Sequence, residues 1–272
     1  MNMPAVDSKR IVGPESSIPY NAYMISSVKT KLELGNRSEG RAVDSHRKIF
    51  LSTGVITSAK GSAYIEQGRT KVMVGVYGPR EVQRRSDFRM EGVLTAELKY
   101  APFACDTRRG QQADREEQEL GVVIAEALSS TVCLHKYPKS AIEVFVTVIE
   151  DDGGVVAAVL TAAGLALAEA GIHMFDIVIG SKVSLTRDEV VVDPDHSEEY
   201  TSKCSEIIGD VTVGYLPSLE QVVACMCDGI LQTEDLARGM AAATQQAANV
   251  LPAVQQELVE QLKKKKQREN DI

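Results

Sequence analysis

The sequence predicts a mixed α/β fold in which strands and helices form two stacked βα layers. Apolar and polar residues alternate over residues 93–103, as in a half-buried strand, and from Asp114 onward apolar residues recur every three to four positions, as in a helix. The second half repeats the order of several strands followed by a helix. Because sheets and helices each bury one apolar face, two βα layers packed together are the economical architecture.

The length and composition suit a packed core. The chain has 272 residues, of which 44% are hydrophobic, and domains usually contain roughly 100–200 residues. The expected organisation comprises an extended N-terminal arm, a first half, a second half and a charged C-terminal tail, at residues 1–40, 41–176, 177–255 and 256–272 respectively.

Turn residues delimit the elements of the first half. The strands are predicted at 61–68, 71–77, 93–103 and 141–149. The first two form a hairpin that Gly78-Pro79 is expected to end. One helix follows the N-cap residue Asp114, and an alanine-rich helix over 155–170 is expected to pack closely on a sheet and to end at Gly171.

The second half is predicted to hold four strands and one long helix. The strands are expected at 177–185, 189–193, 210–216 and 221–227. The helix begins at Thr233 and runs to Val250, and Pro252 is expected to interrupt it before a continuation toward Leu262.

The charge distribution disfavours a protein that coats nucleic acid. The formal net charge is −8, which opposes non-specific binding to phosphates but allows local basic clusters. Three clusters are present: Arg80, Arg84, Arg85 and Arg89; Arg108 and Arg109; and Lys263 to Lys266 with Arg268. The tail cluster is interpreted as solvated surface. No apolar run reaches the roughly 18–20 residues that span a bilayer, and the first ten residues do not form a signal peptide, so no membrane partner is expected.

The cysteines and histidines indicate no metal or cofactor. The five cysteines are scattered, and only Cys225 and Cys227 are close, on one face of a predicted strand rather than in a CxxC pattern. Reduced, buried cysteines are therefore expected. The four histidines are isolated, and common phosphate-loop, dinucleotide-binding, serine-hydrolase and zinc-protease motifs are absent.

A series of short segments resembles the RNase PH family over residues 41–250. The segments include Gly54-Val55-Ile56, Gly61-Ser62-Ala63, Gly68-Arg69-Thr70-Lys71-Val72, Tyr77-Gly78-Pro79, Ala101-Pro102-Phe103, Glu126-Ala127-Leu128, Tyr137-Pro138-Lys139, Asp152-Gly153-Gly154, 165–171 and Met174-Phe175-Asp176. Each is weak alone, but the order and spacing are specific. Within that family the chain is similar to ring subunits of the eukaryotic RNA exosome.

The resemblance implies an RNase PH-like fold and a set of partners. The expected partners are other RNase PH-like subunits in a six-membered ring, RNA-binding cap subunits and single-stranded RNA in the central pore. The implied location is the nucleus, nucleolus and cytoplasm, and the implied role is 3′–5′ RNA processing, including that of rRNA, and RNA degradation.

The resemblance also implies that the phosphorolytic site is degenerate. Active relatives hold phosphate with a Thr/Ser-Arg pair after the Asp-Gly-Gly turn, where this chain has Val155 and Val156, and with an arginine where it has Glu116. Of the family's acid pair, Asp193 matches the first member and Glu199 replaces the second. Aliphatic side chains cannot hold phosphate, so the chain is predicted not to be an enzyme. The helix N-terminus and the Gly153-Gly154 amides are expected to remain available to an anion.

Arginines are the candidate RNA ligands. Arg85 aligns with the pore arginine of the family, Arg80 and Arg84 flank it, and further candidates are Arg108, Arg109 and Arg115. Such residues hold phosphates without reading bases. Two alternatives stay open: an active phosphorolytic 3′–5′ exoribonuclease whose phosphate site uses other residues, and a protein-docking scaffold that does not contact RNA.

Overall fold

A computed structural model describes residues 37, 40–82, 90–105, 108–112, 114–186, 189–196, 198–199 and 207–270. These residues belong to one compact unit, which spans 31–272. The predicted N-terminal arm therefore lies outside the described residues, apart from Arg37 and Gly40. Arg84 and Arg85 lie outside them as well.

The first sheet is mixed and has five strands. They are β1 (Ile49–Thr53), β2 (Gly61–Gln67), β3 (Thr70–Glu81), β4 (Val93–Tyr100) and β5 (Ser140–Glu150). Their order is β1-β2-β3-β5-β4, and β4 runs parallel to β5 whereas the other pairs are antiparallel. The apolar side chains predicted to face inward on β4 do so, since Leu94, Leu98 and Tyr100 are buried.

The second sheet is antiparallel and has four strands. They are β6 (Ile179–Thr186), β7 (Val190–Val192), β8 (Ile207–Leu216) and β9 (Gln221–Gly229), in the order β7-β6-β8-β9. Strand β9 therefore forms one edge of this sheet. The two sheets confirm the mixed α/β class.

Three helices are described, together with one 3-10 turn at Leu134–Lys136. They are α1 (Arg115–Thr131), α2 (Val155–Glu169) and α3 (Thr233–Asn270). Helix α1 packs on β4, and α3 packs on β6, β7 and β8 and reaches β1. The capping box of Asp114 and Glu117 starts α1, as the sequence predicts for Asp114.

Helix α2 lies between the two sheets. It packs on β2 and β3 on one side and on β6 and β8 on the other, and 12 of its 15 residues are buried, which accounts for its alanine content. Where a strand crosses α2 most closely, the strand has no room for a side chain. A Cβ atom on Gly61 would lie 2.2 Å from the carbonyl oxygen of Ala166, and one on Gly180 would lie 2.2 Å from that of Ala157.

Two predicted strand ends are wrong. Strand β3 does not end at Gly78-Pro79 but continues to Glu81, because a register shift between Tyr77 and Arg80 accommodates the proline in a bulge. Strand β4 ends at Tyr100 rather than at Phe103, and a turn follows.

The predicted interruption of the last helix is also wrong. Helix α3 is continuous through Pro252. Proline inside a helix costs about 3 kcal/mol, but Val250 and Val254 on either side are buried in the core. Tertiary packing of this face offsets the penalty.

The cysteines differ from the expectation of burial. Cys133 is buried and Cys105 is partly buried, but Cys225 and Cys227 are exposed. They share one face of β9, as predicted, and Cys204 lies outside the described residues. Within the described residues, no helix is both long enough and apolar enough to cross a bilayer.

Candidate functional site

The turn between β5 and α2 forms the centre of the candidate site. Gly153 and Gly154 have φ values of 85° and 69°, a conformation that favours glycine. A Cβ atom on Gly153 would lie 2.9 Å from the backbone nitrogen of His196. The turn thus brings the N-terminus of α2 against the segment that follows β7.

The first two side chains of α2 face the interior. Val155 is buried in the main core, and Val156 is partly buried against the same core. Neither side chain can donate a hydrogen bond or neutralise an anion. This helix start therefore lacks the hydrogen-bond donors and the positive charge that a Thr/Ser-Arg pair would supply.

The carboxylate of Glu199 occupies the N-terminus of α2. Its Oε1 atom accepts a hydrogen bond of 2.8 Å from the Gly154 N–H and one of 2.6 Å from Lys182 Nζ. The Gly153 N–H donates to Asp151 Oδ1 at 3.1 Å. The expectation that these two amides remain available to an anion is therefore wrong, because carboxylates of the same chain accept from both.

Lys182 is held by two acids. Its Nζ also lies 3.2 Å from Asp210 Oδ2, and the lysine side chain is only 15% exposed. Burial alone would lower its pKa, but the negative charges of Glu199 and Asp210 raise it. Lys182 therefore stays protonated and neutralises Glu199, which makes that carboxylate a fixed structural group.

Asp193 is paired with Arg47. Arg47 donates to the carboxylate from its backbone N–H at 2.7 Å, from Nε at 3.0 Å and from Nη2 at 2.7 Å, and Gln67 donates at 2.6 Å. Burial alone would raise the pKa of Asp193, but the hydrogen bonds and charge of Arg47, with a contribution from His46, lower it. Asp193 was predicted to end a strand and lies one position after the end of β7, and its carboxylate is fully engaged with neighbouring side chains.

The same arginine supports the glycine turn. Arg47 Nη1 donates to the carbonyl oxygen of Asp152 at 2.8 Å, and Nη2 donates to that of Gly153 at 3.1 Å. One buried guanidinium thus fixes both the turn and Asp193. The same two carbonyl oxygens also accept hydrogen bonds from the His196 N–H, at 3.1 Å, and from Thr70 Oγ1, at 2.7 Å.

The start of α1 contains Glu116 and its neighbour Arg115. Glu116 is exposed and accepts a hydrogen bond of 3.1 Å from Arg109 Nη1. Arg109 also packs over the ring of Tyr100, 4.2 Å from its centroid, and donates to Cys105 Sγ at 3.3 Å. Arg115 is 91% exposed and pairs with Glu119 along the helix.

A cavity of about 430 Å³ lies beside the end of β5 and the glycine turn that precedes α2. Its lining includes cations and carboxylates, and consists of Arg69, Phe103, Ala104, Cys105, Ile149, Glu150, Asp151, Asp152 and His196. Cys105 links the two helix starts, since it contacts Arg109 on one side and Asp151 at 3.8 Å on the other. Three carboxylates in the wall oppose the entry of a phosphate group.

The structure describes some of the candidate RNA-binding arginines and not others. Arg80 is 62% exposed on β3, stacks on Tyr77 at 5.3 Å and lies 3.8 Å from Glu143. Arg108 is exposed. Because Arg84 and Arg85 are outside the described residues, their grouping with Arg80 stays a prediction.

Sequence reasoning missed Arg47 and Lys182. Both act through contacts between distant segments: Arg47 meets Asp193 across 146 positions, and Lys182 meets Glu199 across 17. Arg47 stands in a polar segment before β1, and Lys182 is the partly buried position of a strand. No local pattern distinguishes either from a surface cation.

The family models match most of the chain. A model described as "3′ exoribonuclease family, domain 1" matches residues 45–173, and one described as "3′ exoribonuclease family, domain 2" matches residues 176–246. The chain belongs to the RNase PH family of 3′ exoribonucleases.

Curated relatives of this RNase PH family chain agree with that assignment. An exosome complex component Rrp41 of Nitrosopumilus maritimus is 38% identical over 75% of this chain and 82% of its own length. The human exosome complex component MTR3 is 34% identical over 93% of this chain and 94% of its own length. The sequence resemblance to the MTR3-type subunit, the mRNA transport regulator three, therefore has a counterpart in a relative that spans nearly the whole chain.

Solved structures confirm the RNase PH-like fold. The rice (Oryza sativa) protein Rrp46 superposes with a TM-score of 0.67 at 22% identity, over 79% of this chain and 98% of its own. A chain of the Archaeoglobus fulgidus exosome with RNA bound to the active site gives a TM-score of 0.68 at 22% identity, over 86% and 96%. At these identities the likeness concerns the fold.

Proposed function

We propose that this chain is a non-catalytic RNase PH-like subunit of an RNA exosome ring. It supports 3′–5′ RNA processing and degradation by building the ring and lining part of its RNA channel. Its partners in this role are other RNase PH-like subunits in a ring of six, RNA-binding cap subunits and single-stranded RNA. The exosome names of its relatives support this assembly, and the nucleus, nucleolus and cytoplasm are the proposed locations.

The observation that carries the non-catalytic role is the Glu199 carboxylate on the Gly154 N–H. Phosphorolysis requires phosphate to be held by cations or N–H donors while it attacks a phosphodiester in line. Here an internal carboxylate takes the helix N-terminus, and Lys182 is paired with it. Phosphate would have to displace Glu199 and leave a partly buried acid without its partners, which is costly.

Two further observations support the same conclusion. Val155 and Val156 offer no donor beside the turn. Glu116 draws Arg109, which contacts the cavity-lining Cys105, into an ion pair, so the guanidinium is already engaged by an acid. Each contact takes up or removes a group that a phosphate would need.

The channel-lining role rests on the arginines near the end of β3. Arg80 projects from this strand with its side chain largely exposed, and Arg84 and Arg85 follow within five positions. Phosphate contacts from such a segment would hold RNA independently of its sequence. The alternative without RNA contact predicts that the same segment meets a protein.

The decisive experiment measures phosphate-dependent release of nucleoside diphosphates from single-stranded RNA by the chain with its ring partner. We expect no release above that seen in phosphate-free buffer. Release that is lost on Glu199→Gln substitution would support the active-enzyme alternative, because it would assign the chemistry to this site. Photo-crosslinking of RNA to residues 80–85 in the assembled ring tests the channel role, and its absence would favour the scaffold alternative.

A further inference from the structure

The outer face of the first sheet presents two aromatic rings side by side. Tyr77 on β3 and Phe145 on β5 meet edge to face, with ring centroids 5.6 Å apart and an angle of 72° between the ring planes. Tyr77 is half-buried, whereas Phe145 is 40% exposed. An exposed ring that a second ring holds in place offers a surface on which a planar group can stack.

The pairing of β3 with β5 brings the rings together. Gly75 lies directly opposite Phe145, and Tyr77 stands two positions after Gly75, so both rings project from the same face of the sheet. A Cβ atom on Gly75 would lie 3.5 Å from the Tyr77 ring and 3.2 Å from Cδ1 of Ile56. The glycine thus keeps the space beside the two rings free of another side chain.

Arg80 adds a positive charge beside the ring pair. Its guanidinium carbon lies 5.3 Å from the centroid of the Tyr77 ring, within the range of a cation–π contact. Its Nη1 atom lies 3.8 Å from Glu143 Oε2, which is too far for a hydrogen bond, and 62% of the arginine side chain is exposed. Because an exposed ion pair of this kind contributes little, the guanidinium stays available to a phosphate.

The surroundings of Phe145 favour a small planar ligand over a protein surface. Phe145 is the one exposed large apolar side chain of β3, β4 and β5, and its exposed neighbours on the same face, Thr147 and Glu97, are polar. A specific protein interface buries roughly 800 Å² on each partner around an apolar centre. A single ring with a cation beside it instead matches the dimensions and the chemistry of one nucleobase and its phosphate.

We propose that Phe145, Tyr77 and Arg80 form a stacking position for one nucleobase of single-stranded RNA. The base lies on the exposed part of the Phe145 ring, Tyr77 positions that ring and the guanidinium, and Arg80 neutralises an adjoining phosphate. Because every base has a flat π face, a site of this kind accepts any sequence. The inference rests on the proposed channel role of Arg80, and it adds a base contact to the phosphate contacts of that role.

Equilibrium binding of single-stranded RNA to the assembled ring tests the stacking position. Phe145→Leu keeps an apolar side chain but removes the aromatic face, and we expect it to lower the affinity about 5-fold or more. The slope of log affinity against log salt should not change, because no phosphate contact is lost. Phe145→Trp should restore the affinity. Phe50→Leu, at an exposed ring on β1 of the same sheet, is the matched control and should bind like wild type.

An oligonucleotide of abasic ribose units separates the base contact from the phosphate contact. It keeps the phosphates, so wild type and Phe145→Leu should bind it equally, whereas Arg80→Ala should reduce its salt slope by about one unit. If Phe145→Leu binds ordinary RNA like wild type while Arg80→Ala lowers the slope, the stacking position is overturned and the channel role stands. Unchanged binding in both variants would overturn the two together. Loss of Phe145→Leu from the ring, measured by native mass spectrometry, would overturn the stacking position in favour of a protein contact.

Discussion

The guanidinium of Arg47 lies 2.7 Å from the carboxylate of Asp193 and joins the segment before β1 to the residue after β7. Both side chains are almost fully buried. The pair holds the glycine turn through the carbonyl groups of Asp152 and Gly153. A position that resembles a catalytic acid in sequence is thus part of the internal framework.

Replacement of Arg47 by alanine should strongly destabilise the protein. Asp193 would remain buried without its cation, and loss of one partner of a buried pair costs about 3–5 kcal/mol. Urea unfolding of the purified protein measures the change in the free energy of unfolding. Arg115→Ala provides the control, since Arg115 is exposed and its helical pair contributes about 0.3–0.5 kcal/mol. Similar losses in the two variants would contradict the role of Arg47.

Lowering the pH should remove the contribution of Asp193 to the free energy of unfolding. Its folded-state pKa is lowered, so the unfolded chain takes up a proton first as pH falls, near the ordinary aspartate value of about 3.9. The stabilisation is therefore complete above that pH and is lost as pH falls toward the lower folded-state value. We expect the stability difference between wild type and Asp193→Asn to shrink as pH falls below 4. A difference that does not change with pH would contradict this assignment.

Removal of the Glu199 carboxylate should create an anion site. In Glu199→Ala the Gly154 N–H and Lys182 lose their shared acceptor, although Lys182 keeps Asp210. We expect the wild-type protein to bind no phosphate at 1 mM; a Kd of 1 mM corresponds to a binding free energy of about −4.1 kcal/mol. In the variant, phosphate binding should become detectable by phosphorus NMR. Glu260→Ala, at an exposed acid on α3 away from the site, is the matched control. Saturable sub-millimolar binding to wild type would refute the explanation.

If Arg84 and Arg85 line the RNA channel as proposed, reversing their charge should weaken RNA binding without disrupting the ring. Each phosphate contact contributes about one unit to the slope of log affinity against log salt. In Arg84→Glu/Arg85→Glu we expect lower affinity, a shallower salt slope and equal losses for different RNA sequences. Arg238→Glu reverses a cation that pairs with Asp235 on α3 and controls for charge reversal elsewhere, compared with each single variant of Arg84 and Arg85. An intact ring with unchanged affinity and slope would favour the scaffold alternative.

The sequence predicted most elements of the fold but not where prolines are tolerated. Period-two and helical patterns indicated the strands and helices because burial of one face determines those patterns. Pro79 lies in a bulge and Pro252 in a helix packed on the core. In both cases contacts with distant residues outweigh the local tendency of proline to end a strand or helix. A single sequence shows only that local tendency.

The candidate site was predicted from residues that replace the family's motif residues, not from the positions of side chains in space. Comparison with the family motifs identified Val155, Val156 and Glu116 as replacements. The structure adds which side chains now contact the turn and the helix starts. The sequence identified Glu199 only as the replacement for the second member of the acid pair, and the structure shows that it binds Lys182 and the helix start. That pairing joins three segments distant in sequence, so no motif could reveal it.

The position of α2 has a consequence for how the protein can be divided. The helix belongs to the segment matched by the first family model, yet it covers β6 and β8 of the second. A cut at residue 174 would leave the second sheet without its inner layer and the alanine-rich helix with one bare side. We therefore expect neither half to be stable when it is produced without the other.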